Sequence, residues 1–328
     1  MPKRLSVAQY EQGVRKGDRS VLARAITLVE SRKKSDQILA QALLNQILPH
    51  TGKAIRIGIS GLPGVGKSTL LDLLGMKLIE QGMSVAVLAI DPSSTLRGGS
   101  ILGDKTRMQN LSLHPNAFIR PTASDTTLGG VARKTREALF LCEAAGFDVV
   151  IVETVGVGQS EITVSHMVDC FVALMLPGGG DELQGIKKGV LEVADIIAIN
   201  KADAERIPLA RATLREHRAA LRYLRPKNNH WKPQAIAISA ITGSGVDDLW
   251  ALICEHRNVL EESHHLSLLR QTQRKRWMWD LIRESLLEKF QQHPDVKTSL
   301  ETTEESVAHG LQTATTAAQT LLDLFAKK

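Results

Sequence analysis

Between residues 53 and 260, six short apolar runs recur, with helical spacing between them. They are Ile55–Ile59, Val85–Ile90, Val149–Val152, Phe171–Leu176, Ile196–Ile199 and Ala235–Ile238. Several are continuous rather than alternating. A strand with one wet face alternates, whereas a continuous run belongs where helices cover both faces of a parallel sheet. The pattern predicts an α/β, doubly wound, mostly parallel sheet over 53–260.

The flanks have a different texture. Residues 1–52 read as a helical N-terminal extension, with apolar stripes at Val21, Leu22, Ile26 and Val29, then at Leu39, Leu43, Ile47 and Leu48. Residues 261–328 read as a helical C-terminal arm. One stripe is Met278, Leu281, Ile282, Leu286 and Phe290; after Pro294 a second runs Val307, Leu311, Ala314, Ala318, Leu321, Leu322 and Phe325. Such an arm packs on its own core or on a second copy of the chain.

Composition narrows the function classes. Lys and Arg number 41 against 35 Asp and Glu, a net charge of +6, but only 4% of residues are aromatic. That is too few for a base-stacking surface, so no nucleic-acid partner is expected. Cys142, Cys170 and Cys254 stand far apart without a Cys-x-x-Cys pair, as buried hydrophobes in a reducing compartment do. No run of about 18 apolar residues exists, so no membrane span is expected. The first twenty residues lack an apolar signal core and carry Glu11 and Asp18. The expected location is cytoplasmic.

The first apolar run leads into Gly61-Leu-Pro-Gly-Val-Gly-Lys-Ser68, which fits Gly-x-x-x-x-Gly-Lys-Ser between a strand and a helix. This is the phosphate loop of a P-loop NTPase. Glycines let successive N–H groups curl toward phosphate oxygens, and the following helix points its positive end at the same anion. Lys67 adds a charge near the β- and γ-phosphates, and the Ser68 hydroxyl can ligate Mg²⁺. The candidate contacts are Gly61, Pro63, Gly64, Val65, Gly66, Lys67, Ser68 and Thr69.

A later run ends in Asn200-Lys-Ala-Asp203, the guanine-reading motif of GTPases. The Asp203 carboxylate can accept from guanine N1–H and the exocyclic amine, a donor pair adenine lacks. The Lys201 stem can cover the base, and Asn200 can brace the loops. Ser239-Ala240 follows the next run, where GTPases place a backbone N–H facing the guanine carbonyl. GTP and GDP are therefore the expected ligands, with Mg²⁺.

Two acids close strands: Asp91 after Val85–Ile90 and Glu153 after Val149–Val152. Ligands of open parallel sheets bind beyond the carboxyl ends of the strands. Both are catalytic and metal candidates beside Lys67. Asp104 is a third acid, in the Gly-rich stretch 91–107. Glu153-Thr-Val-Gly156 has the spacing of the Asp-x-x-Gly switch, with the Gly156 N–H set to meet the γ-phosphate. Small GTPases follow that glycine with a water-orienting Gln; here Val157 follows, and Gln159 comes two residues later. Slow intrinsic turnover is expected without a partner. The stretch 177–188, with three consecutive glycines, Asp181, Glu182 and Lys187, suggests a further mobile charged segment.

Together, Gly61–Thr69, Asp91-Pro-Ser-Ser94, the stretch 99–107, 153–160, 179–185 and Asn200–Asp203 resemble the methylmalonyl-CoA mutase-associated GTPases. These are metallochaperone-like G proteins of the signal-recognition, minicell-division and biotin-synthesis class, and bacterial members have also been described as an arginine/ornithine transport-system kinase. The resemblance implies a homodimer through the C-terminal arm and a protein that binds the mutase, gates adenosylcobalamin loading and protects the mutase from inactivation. It implies a metal site at Ser68, Asp91, Asp104 and Glu153. It also implies switch positions at Gln159 and, in a third switch, at Asp181, Glu182, Gln184, Lys187 and Lys188. An ATP-dependent kinase of a basic amino-acid transport system is the alternative, against which Asn200–Asp203 argues. A metal-insertion GTPase is another; only His264 and His265 are adjacent, and no cysteine pair accompanies them.

Overall fold

The computed structural model describes residues 4–91, 108–123, 128–154, 159–178, 187–223 and 229–326. Among these, seven strands form one sheet in the order β3-β2-β4-β1-β5-β6-β7. They are β1 Ile55–Gly61, β2 Val85–Asp91, β3 Ala117–Ala123, β4 Val149–Thr154, β5 Cys170–Met175, β6 Ile196–Ile199 and β7 Gln234–Ala237. Every neighbouring pair is parallel. All carboxyl ends therefore share one edge, and β1 lies between β4 and β5, where the chain changes direction across the sheet.

All six apolar runs are strands. The seventh strand, β3, reads Ala-Phe-Ile-Arg-Pro-Thr-Ala. Pro121 and Arg120 break its apolar character, which is tolerated because β3 is an edge.

Helices cover the sheet. Three N-terminal helices, α1 Val7–Arg15, α2 Arg19–Glu30 and α3 Lys34–Ile47, pack on one another and on α6 Leu128–Ala144. The entries of the first two are capped: Ser6 and Gln9 form a reciprocal capping box, and Asp18 caps α2 through Ser20 N and Val21 N. Between β1 and β2 runs α4 Lys67–Glu80, and α5 Gln109–Leu113 precedes β3. Further on come α7 Gln159–Ser165, α8 Lys187–Val193, α9 Ile207–Leu221 and α10 Val246–Glu262. On one face of the sheet Leu70, Leu71 and Leu74 of α4 join Ile57, Ile151 and Val172, all essentially without exposure. Each such side chain contributes roughly 1.5–3 kcal/mol by leaving water.

The starting edge of the sheet holds a buried ionic network. Arg56 of β1 binds Glu143 through two bonds, at 2.9 and 2.7 Å, while Gly52 N–H donates to the same carboxylate at 3.0 Å. Asp169 accepts the Arg56 backbone N–H at 3.0 Å and a two-bond fork from Arg270, at 2.8 and 2.6 Å. Arg270 also donates to the Ala54 carbonyl at 2.8 Å. Burial alone would lower the Arg270 pKa, but hydrogen bonding and charge from Asp169 reverse that and hold it above the usual value.

The chain divides into two compact units, Met1–Gln271 and Thr272–Lys328. The second contains most of α11 His265–Gln292, then α12 Pro294–Ala308 and α13 Ala314–Ala326. Pro294 starts α12 rather than merely interrupting a stripe. The second apolar stripe spans two helices, because Gly310, at φ 70°, ends the first. Phe290, His293 and Phe325 pack edge to face within this unit. No helix among the described residues is long and apolar enough to cross a membrane.

Candidate functional site

Helix α4 begins at Lys67 behind Gly66, whose φ of 98° is left-handed, and no side chain among the described residues caps it. Its first N–H groups therefore lack helical partners and point out of the loop, the arrangement that binds phosphate. Gly64 also has positive φ, 79°. Gly66 is needed for space as well, since a Cβ there would lie 2.6 Å from Asn200 Nδ2. Gly61 is held by close approach to β5: its Cβ would sit 2.6 Å from the Leu174 carbonyl oxygen. Val65 is fully buried, Pro63, Gly64 and Thr69 are exposed, and Ser68 is half-buried. The Lys67 side chain is 8% exposed, and its Nζ donates to the carbonyls of Gly61 at 2.7 Å and Leu62 at 3.3 Å. The ammonium is folded into the curl of the loop.

The base-reading loops are joined to this cradle by one side chain. Asn200 Nδ2 donates to the Val65 carbonyl at 2.8 Å, and Asn200 Oδ1 accepts the Ala240 N–H at 3.0 Å. Asn200 is 1% exposed, so both bonds form away from water. The two bonds connect Asn200 to the phosphate loop and to the residue after Ser239. Of the Ser239-Ala240 pair, the Ala240 N–H donates to Asn200. Asp203 is positioned by the Ser239 hydroxyl, which donates to its Oδ2. The Ser239 Oγ also accepts the Thr242 N–H at 3.1 Å. That hydroxyl role was not legible in the sequence, where Ser239-Ala240 pointed only to a backbone N–H for the guanine carbonyl. Lys201 and Ala204 have positive φ, 61° and 45°. Such backbone costs roughly 1–3 kcal/mol per residue and persists where surrounding contacts over-determine it.

The acids fall on neighbouring strands at the same edge. Glu153 of β4 is in register with Ile59 of β1 and Ala89 of β2, and is 9% exposed. Asp91 closes β2 two residues beyond Ala89. Thr154 Oγ1 donates to Ser60 Oγ at 2.8 Å, tying β4 to β1 just below the loop. Gln159 opens α7, and Lys187 and Lys188 open α8. Asp104, Gly156, Asp181, Glu182 and Gln184 lie outside the described residues. The start of the 177–188 stretch is fixed by contacts that no sequence motif marks. Gly178 N–H donates to Thr213 Oγ1 of α9 at 3.0 Å, and a Cβ on Gly178 would be 2.7 Å from Leu209.

A second group of ligand-type atoms sits at the opposite edge. Cys170, Asp195 and His256 bring theirs within 4.8 Å of one another. Asp195 Oδ2 accepts the Phe171 N–H at 2.8 Å and its carbonyl accepts Trp231 Nε1 at 3.0 Å, with the Trp231 ring edge-on to His256. Nε2 of His256 is 3.9 Å from Asp195, too long for a hydrogen bond. Asp195 thus ties β5 to Trp231, ahead of β7.

A phosphate cradle on β1, a buried Asn linking it to an Asp-bearing base loop, and acids closing the flanking strands define a P-loop GTPase. Comparison with known proteins gives the branch. The family described as methylmalonyl Co-A mutase-associated GTPase MeaB matches residues 22–295. A putative GTPase of Caulobacter vibrioides is 52% identical, over 98% of both chains. The methylmalonic aciduria type A homolog, mitochondrial, of Mus musculus is 47% identical over 95% of this chain and 78% of its own. A crystal structure described as an LAO/AO transport system kinase superposes over 100% of both chains with a TM-score of 0.80 and 36% identity. The chain belongs to the methylmalonyl Co-A mutase-associated GTPase family, and GTP is its nucleotide.

Proposed function

We propose that the protein is a GTP-hydrolysing chaperone of methylmalonyl-CoA mutase, which gates adenosylcobalamin loading or protects the mutase from inactivation. The observation that carries the nucleotide half is the Asn200 brace, which joins the phosphate loop to both base-reading loops. Family membership carries the partner half.

In this reading the α4 N-terminus and Lys67 hold the β- and γ-phosphates, with Gly61, Pro63, Gly64, Val65, Gly66, Ser68 and Thr69 shaping the loop. Lys67 leaves the Gly61 and Leu62 carbonyls to meet the phosphates. Asp203, fixed by Ser239, reads guanine, and Lys201 covers its face. Ser68, Asp91, Asp104 and Glu153 are the proposed Mg²⁺ set: a hydroxyl and carboxylates are the hard oxygen donors that ion takes. Mg²⁺, when bound, neutralises charge developing on the phosphates. Gly156, Gln159, Asp181, Glu182, Gln184, Lys187 and Lys188 are the proposed switch residues, ordered by GTP and released on hydrolysis. Residues 1–52 serve as an extension, 53–260 as the GTPase domain and 261–328 as the arm of a homodimer. Exposed Met278, Ile282 and Leu286 line an open apolar groove of about 490 Å³ on α11, the kind of surface a second copy covers.

The test of the base assignment is Asp203→Asn. An amide accepts from N1–H but donates to position 2, so it suits xanthine, which has a carbonyl there. Guanine affinity falls and xanthosine diphosphate affinity rises, read by competition with a fluorescent nucleotide. A variant that keeps its guanine preference would remove Asp203 from the site.

A further inference from the structure

We propose that helix α9 is a docking face for an acidic protein surface, supplied by the mutase. The inference rests on the partner reading above and adds to it which face the partner meets.

Arg211, Arg215, Arg218 and Arg222 follow one another at i, i+4, i+7 and i+11, so they share one side of the helix and its C-cap. All four are exposed, as is Arg206 at the N-cap. On other helices three arginines pair with an acid a turn away: Arg15 with Glu11, Arg257 with Glu261 and Arg283 with Asp280. Among the described residues none of the five arginines makes an ion pair, although Glu205 and Glu216 are nearby in sequence. Arg218 Nε donates to the Ala235 carbonyl at 3.1 Å, which leans it toward β7, the edge strand.

The fold accounts for only part of this charge. Cations near a helix C-terminus are favoured by the macrodipole, which suits Arg218 and Arg222. Arg206 stands at the positive end, where the dipole favours acids, and the first turn of α9 has none. The stripe thus has like charges in a row, with Arg206 as a further cation at the end the dipole disfavours, and carboxylates from a partner relieve both.

Two features favour a protein over a nucleic acid. Arginine is accompanied by exposed apolar and aromatic groups, Ile207 at 38%, Leu209 at 49% and Tyr223 at 90%, the mixture enriched at protein interfaces. The helix is also wired to the nucleotide site. It starts four residues after Asp203, and its Leu209 and Thr213 hold Gly178 at the start of the 177–188 stretch. A partner seated on α9 touches the element that carries the base loop and anchors that stretch.

The test uses full-length protein loaded with a non-hydrolysable GTP analogue and immobilised methylmalonyl-CoA mutase, at low and high salt. The variants are Arg211→Glu/Arg215→Glu/Arg222→Glu and the neutral Arg211→Gln/Arg215→Gln/Arg222→Gln. None of these residues belongs to the nucleotide site, so GDP affinity and the melting curve should match the wild type. Wild-type binding is expected to weaken as salt rises, and the Glu variant to bind at least about 10-fold more weakly with a flattened salt dependence. The Gln variant is expected between them. Equal binding by wild type and both variants overturns the docking face and leaves the mutase reading intact. No binding by wild type overturns that reading and this inference with it. Loss of duplex DNA binding by the variants, with mutase binding kept, makes the stripe a nucleic-acid face and overturns the inference.

Discussion

Asn200 and Gly66 depend on each other at the scale of single residues. Asn200 holds two buried polar groups, the Val65 carbonyl and the Ala240 N–H, and Gly66 leaves room for its amide. Asn200→Ala leaves both without that partner, at roughly 1–3 kcal/mol for each buried group. A stability loss of roughly 2–6 kcal/mol in all, with a steep fall in GDP affinity, is expected from urea unfolding and nucleotide titration. Gly66→Ala meets a backbone φ of 98° and a Cβ contact of 2.6 Å together. Loss of nucleotide binding is expected there even if the protein folds, because the Asn200 amide has to move. The phosphate and guanine motifs were legible because their chemistry depends on a few residue types at fixed spacing. The Ser239 hydroxyl on Asp203 and the Thr213 bond to Gly178 were not, since both are made by residues distant in sequence, without a local pattern.

Elements show the same division. Continuous apolar runs gave six strands because a strand buried on both faces leaves a dense signal. The edge strand β3 was hidden by Arg120 and Pro121, residues an edge accepts. The ionic network at the base of the sheet was equally invisible, because Arg56, Glu143, Asp169 and Arg270 come from four separate elements or their flanks. Arg270→Met leaves the Asp169 carboxylate buried without its fork, and a loss of roughly 3–5 kcal/mol is expected in urea unfolding. The cysteines report on packing too. Burial pushes the Cys142 thiol well above its ordinary range, with the Glu143 charge adding, and raises that of half-buried Cys254. A raised thiol pKa keeps the reactive thiolate scarce until pH rises. Slow native labelling at Cys254, with Cys142 and Cys170 reacting only on unfolding, is the expected result of a thiol titration followed by mass spectrometry.

At the scale of the whole molecule, the expected arm and the compact units have different boundaries. The helical arm stood out by periodicity, yet the compact units part at Gln271 and Thr272, within α11, because its first turns are bound to the sheet by Arg270. The arm's exposed apolar residues ask for a partner, and Leu286, 52% exposed, is one of them. Leu286→Glu is expected to shift the proposed dimer toward monomer in light scattering while leaving GDP affinity unchanged.

The central claim is that this GTPase works through a mutase. Its most direct test is the rate of GTP hydrolysis by the purified protein as adenosylcobalamin-dependent methylmalonyl-CoA mutase is titrated in, with ATP run in parallel. A slow GTP rate that rises and saturates with mutase, without ATP turnover, is the expected result. A GTP rate indifferent to mutase would contradict the chaperone role, and ATP turnover matching that of GTP would contradict the base assignment.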